Sequence, residues 1–207
     1  MLRVAAEFYL NGLQQFETQP ETAYLLFVTV GEILAETCHL STEELLDSAA
    51  QEVIEYLRTI EAPQNVLGIV KGKCHQIKSK YVVTMLRLIK DSFFIEDEDS
   101  EKWFRLTPVN LEDSLKASYD LRSKWLHKGM KFKGVLTYAG RGWEKLPGDP
   151  SLCKTEYQKL ACRAPTLEGM ERLMRYAILS RMQEIGLDID DSLCCAMETD
   201  VMSSEEK

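Results

Sequence analysis

Apolar residues recur at helical spacing along most of this chain, and the repeats are interrupted at proline, glycine and capping residues. Residues 5–16 are apolar at three- and four-residue intervals. Pro20 then stands where the first turn of a helix tolerates it, ahead of Ala23, Leu26, Phe27, Val30, Ile33 and Leu34. That second helix is the best core candidate. Ser41 with Glu44 three residues on forms a capping box, in which each side chain reaches the other residue's backbone amide, and it predicts a third helix running to about residue 60. Pro63 interrupts the pattern. Residues 66–94 read as helical with a weak point around Gly68, Gly72 and the basic stretch 71–80, and one kinked helix or two short ones both fit.

Residues 96–101 are an acidic run with no apolar anchor, which reads as a solvated loop. Asn110 is expected to cap the next helix, whose apolar surface comes from Leu111, Leu115, Tyr119, Leu121, Trp125 and Leu126 and which stops at Gly129. From 131 to 165 the periodicity fails. Gly134, Gly140, Gly142 and Gly148 with Pro147, Pro150 and Pro165 mark loops, a short hairpin near 135–138 and a helical turn near Tyr157. A last helix follows Thr166 and stacks Leu167, Met170, Leu173, Met174, Ala177, Ile178 and Met182 before Gly186. The expectation is an all-α bundle over residues 1–187, with an irregular loop region around 131–165 and an acidic, disordered tail over 188–207.

Composition bounds the chemistry. A chain of 207 residues with ordinary apolar content buries a real core. Its six Cys lack CxxC pairing and no basic-then-apolar leader precedes them, so reduced thiols and a cytoplasmic setting are expected. No apolar run reaches the length of a membrane span. The net charge of −8 argues against a general nucleic-acid coat, yet the charge is uneven. Residues 1–62 carry eleven acids against Arg3 and Arg58. Residues 116–145 carry Lys116, Arg122, Lys124, Lys128, Lys131, Lys133, Arg141 and Lys145 against Asp120 and Glu144. Such a stretch is either a solvated helix face and loop or a surface for an anion.

Within it, residues 119–129 read Y-D-L-R-S-K-W-L-H-K-G and set Arg122 and His127 near a helix C-terminus. Arginine offers a fixed fork to phosphate oxygens, and histidine moves protons near neutral pH. On an ideal helix the two lie about 140° apart, so they share a face only if the last turn unwinds or long side chains converge. Ser123 sits one turn before His127 and is placed to orient the imidazole or touch a phosphate. Other signals weigh less. The stretch 68–74 imitates a phosphate loop but has one residue too few between its glycines and no Ser or Thr after the lysine. Cys38-His39, Cys74-His75 and Cys194-Cys195 lack the spacing of zinc ligands. Trp103, Phe104 and Trp143 read either as base-stacking platforms or as packing anchors.

At Arg122-Ser123-Lys124-Trp125-Leu126-His127-Lys128-Gly129 the chain resembles the HEPN superfamily, especially its Apea-like and abortive-infection branch, whose mark is an Arg, a polar residue, a short spacer and a His at a helix end. Residues 23–35 resemble the early apolar helix of such domains, with Glu32 near its end. The resemblance implies a metal-independent endoribonuclease, without a cofactor, whose site forms between two protomers of a homodimer in a defence or stress system. The RNA 2′-OH attacks the adjacent phosphate and leaves 2′,3′-cyclic phosphate and 5′-OH ends. His127 is then the general base or acid, Arg122 holds the phosphate, Ser123 assists and Glu32 fixes Arg122. Glu32 reads equally well as a solvent-facing carboxylate or the partner of another Arg. RNA contacts are expected from Lys116, Lys124, Lys128, Lys131, Lys133 and Arg141. Gly129 stands where antitoxin-modified HEPN toxins carry a tyrosine, which disfavours that regulation. The rival expectation is a non-catalytic helical module that uses the same face for a partner protein, such as a further component of a defence or toxin–antitoxin system, or for a nucleotide.

Overall fold

The structure is a computed structural model that describes residues 1–41, 43–46, 48–74, 77–95, 104–129, 131, 142–147, 155–187 and 189. The fold is all-α. Among the described residues the helices are α1 (Leu2–Gln15), α2 (Pro20–Thr37), α3 (Ser48–Thr59), α4 (Gln64–Cys74), α5 (Ile77–Leu88), α6 (Pro108–Lys128), α7 (Glu156–Arg163) and α8 (Leu167–Glu184). The expected hairpin near 135–138, the acidic run 96–101 and nearly all of the acidic tail lie outside the described residues.

α2 is the central helix. Its apolar positions wrap more than one face, so Ala23, Tyr24, Phe27, Val28, Val30 and Leu34 are all buried against α1, α5 and α8. Pro20 occupies its first turn as the sequence requires. α8 starts at Thr166, whose hydroxyl accepts from the Gly169 amide at 3.1 Å, and it buries Leu167, Met170, Leu173, Met174 and Ala177. Tyr24 closes this layer by donating its hydroxyl to the Pro165 carbonyl at 3.2 Å. A second, smaller cluster of Leu46, Ile54 and Leu67 joins α3 to α4.

Four local expectations are corrected. The Ser41/Glu44 box forms, with the Ser41 amide donating to Glu44 Oε2 at 2.7 Å and the Glu44 amide donating to Ser41 Oγ at 3.3 Å. It caps only a 3₁₀ turn at Glu43–Leu45, and α3 starts afresh at Ser48. The cap of α6 is Thr107 rather than Asn110; Asn110 is the third residue of the helix and returns its side chain to the Thr107 amide at 2.9 Å. The 131–165 region contains a true helix, α7, with a capping box between Thr155 and Gln158. Finally, Cys162 is disulfide-bonded, so its thiol is not reduced as expected, while buried Cys38 is free. The stretch 66–94 resolves into two helices, and residues 68–74 lie within α4, which excludes a phosphate-cradling loop there.

Candidate functional site

Three helices converge on Arg122. Gly31 lets α5 approach α2 closely, since a Cβ at that position would stand 2.4 Å from Tyr81 Cε2. The buried Tyr81 hydroxyl then meets Ser118 Oγ on α6 at 3.1 Å. Ser118 in turn donates to the Leu115 carbonyl at 2.8 Å. This pinning of α2, α5 and α6 brings Glu32 and Arg122 together, with Arg122 Nη2 2.8 Å from Glu32 Oε2. Both side chains are largely covered, at 24 % and 16 % exposure, which makes this one of the better shielded ion pairs among those described. Tyr119 lies beneath, with the Arg122 guanidinium carbon 5.9 Å from its ring centre.

Burial pushes the Glu32 carboxyl above its ordinary value, and the Arg122 charge only partly draws it back. The Tyr119 hydroxyl is raised as well, by burial first and then by the Glu32 charge. The pair lines a cleft of about 320 Å³, a size at the lower end of ligand cavities, together with Glu36, Lys80 and Tyr119. Lys80 Nζ is held 2.9 Å from Glu36 Oε1. Glu36 lies one turn beyond Glu32 on α2.

His127 does not line this cleft. α6 keeps its helical path through Lys128 and ends on Gly129, which adopts the left-handed conformation (φ 60°) and donates its amide to the Trp125 carbonyl at 2.9 Å. The last turn therefore does not unwind, and the 140° separation of Arg122 and His127 stands. His127 is exposed, and Ser123 is half-buried one turn before it. Within one chain the fork and the imidazole present two different directions.

The basic surface is partly neutralised. Lys116 pairs with Glu112 at 2.6 Å and Lys124 with Glu156 at 2.7 Å. Asp120, one turn before Lys124, is taken instead by Lys78 at 2.7 Å. Lys128 and Lys131 are exposed, whereas Lys133 and Arg141 lie outside the described residues. Lys145 is half-buried, and desolvation lowers its pKa. Phe104 and Trp143 stack on each other with ring centres 4.1 Å apart, so each already has an aromatic partner. Sequence reasoning did not find Lys80 and Glu36. The available signals were the four-residue spacing of Glu32 and Glu36 on an apolar helix and, far from it in sequence, the basic stretch 71–80.

No group of three His, Cys, Asp or Glu among the described residues is placed to hold a metal ion. Likewise, no helix among them is long and apolar enough to cross a membrane. Comparison with protein-family models, with curated proteins and with solved structures found no match.

Proposed function

We propose that this chain is a HEPN-type, metal-independent endoribonuclease that acts as a homodimer in a defence or stress role. The observation that carries the reading is the shielded Glu32–Arg122 pair on the wall of an open cleft, with His127 at the end of the same helix. The carboxylate touches one terminal nitrogen of the guanidinium, which orients the fork while leaving other N–H donors for phosphate oxygens. Transesterification by the RNA 2′-OH needs a base, an acid and a group that stabilises charge on phosphorus oxygens. His127 supplies the proton transfers and Arg122 the charge. Ser123 stands beside His127, and Lys128 and Lys131 add positive potential.

Because His127 and the cleft point apart, the site requires a second copy whose α6 end faces the first, so that two Arg122/His127 sets share one cleft. That same divergence is what favours the second reading, a non-catalytic helical module that docks a partner protein or nucleotide through this face. Cleavage assays in EDTA decide between them. His127→Ala, an exposed change that opens no cavity, should abolish cleavage with unchanged circular dichroism. Arg122→Lys should lose most of it despite retaining the charge. Wild-type turnover in both variants would exclude the mechanism, and a stable monomer that neither binds nor cuts RNA but retains a partner protein through this face would establish the binding module.

A further inference from the structure

α2 presents two carboxylates one turn apart, and each holds a cation from a different helix over the same cleft: Glu32 holds Arg122 of α6, and Glu36 holds Lys80 of α5. We propose that this cleft is a two-phosphate subsite for single-stranded RNA, in which Lys80 takes the phosphate next to the one held by Arg122. The inference rests on the ribonuclease reading and adds a substrate-positioning residue to it.

The geometry supports the pairing of roles in several ways. Four residues of helix separate Glu32 from Glu36 by about 6 Å of rise, so the two cations are held from positions one turn apart along α2. The closest contacts are Arg122 Nη2 to Glu32 Oε2 and Lys80 Nζ to Glu36 Oε1, and with five N–H groups on a guanidinium and three on an ammonium each cation keeps donors for an incoming oxygen. The two pairs also differ in cover. Lys80 is 19 % exposed while Glu36 is 56 % exposed, so the carboxylate can turn to solvent when a phosphate replaces it. An interhelical ion pair this open adds little to stability, which leaves the purely structural role of Lys80–Glu36 weak.

The test is a titration of the full chain with short oligouridylates, read by fluorescence anisotropy across a salt series, alongside thermal unfolding. Each phosphate contact on a single strand contributes about 0.7 to the slope of log K against log salt, so Lys80→Ala should lower that slope by about 0.7 and the affinity roughly fivefold at 0.1 M salt. Lys80→Arg should restore both. Lys90→Ala, a change at an exposed lysine outside the cleft, serves as the comparison for a general loss of positive charge. If Lys80→Ala keeps the wild-type slope while Arg122→Ala loses it, the second phosphate site is wrong and the ribonuclease reading survives. If Lys90→Ala lowers the slope as much as Lys80→Ala, the effect is diffuse charge and the subsite is again rejected. Should the wild-type chain bind no oligouridylate at all, the ribonuclease reading itself falls. If Lys80→Ala also lowers the unfolding temperature, Lys80→Gln is read in its place, with the same slope change expected.

Discussion

Glu32 shows how one residue couples folding to the site. Burial raises its pKa more than Arg122 lowers it, so the native state holds the Glu32 proton more tightly than the unfolded chain does. The stability that follows from this is fully present below the ordinary carboxylate value and is lost as pH rises through the elevated native value. Glu32→Gln removes the titration. Its stability relative to wild type should therefore increase with pH between the ordinary carboxylate range and neutrality, as urea unfolding at a series of pH values would show. A difference that shrinks with pH would mean that the attraction of Arg122 outweighs burial. The sequence made both residues visible as candidates because each stood in a short pattern, a Glu late in an apolar helix and an Arg before a His. It left the partner of Glu32 open, since that depends on how α2 and α6 cross. Lys80 went unseen for the same reason: nothing local says that a lysine in a basic stretch will meet a glutamate 44 positions earlier.

At the scale of the element, what was legible is what four neighbouring residues decide. Pro20 at the start of α2, Thr166 at the start of α8 and Gly129 after α6 each act through their own backbone geometry or nearest amides, and each sits where the pattern put it. The misplaced boundaries have local causes too. Thr107-Pro108 with Asn110 is a capping box using Asn in the third position, and Thr155 with Gln158 is another that opens α7 inside a region otherwise rich in glycine and proline. Close approach of helices is a different matter, because it depends on what stands opposite. Gly31 and Gly68 both lie within helices and look alike in the sequence, but an added Cβ at Gly31 meets the Tyr81 ring at 2.4 Å while Gly68 faces open space. Ala gains about 1 kcal/mol over Gly in a helix interior, whereas forcing a methyl against a buried ring costs about 1–3 kcal/mol. Gly68→Ala should therefore stabilise the fold by about 0.5–1 kcal/mol. Gly31→Ala should destabilise it by roughly 1 kcal/mol and weaken RNA binding by displacing Tyr81 and the helices that position Arg122. Denaturant unfolding of the two variants would expose the reasoning as wrong if both shifts had the same sign.

For the molecule as a whole, the proposed ribonuclease reading makes charge separation and the direction of α6 a requirement for a second copy. The acids of residues 1–62 and the bases of 116–145 divide the chain electrostatically, and two of the six lysine and arginine side chains expected to meet RNA are already matched by Glu112 and Glu156. One chain alone therefore offers RNA a modest field around Lys128 and Lys131, with His127 turned away from the cleft that holds Arg122. A two-fold partner repairs both deficits at once, since it doubles the local positive potential and places a second α6 end opposite the first. Activity should then track the population of dimer. As protein concentration falls below the dimer dissociation constant, cleavage per chain should drop together with the sedimentation coefficient, because mass action empties the composite site. Raising salt should weaken RNA binding steeply in the dimer, with a slope close to twice that of a single chain when each chain contributes equal phosphate contacts. Cleavage per chain that stays constant through dissociation would show that one chain suffices, and the imidazole would then have to reach the Arg122 cleft by a rearrangement of the last turn of α6. The variant Gly129→Ala separates these two routes. It strains the left-handed cap and disturbs the end of α6, so a single-chain site that depends on unwinding would change its cleavage rate at every concentration, whereas a dimeric site would change mainly in the concentration at which activity is lost.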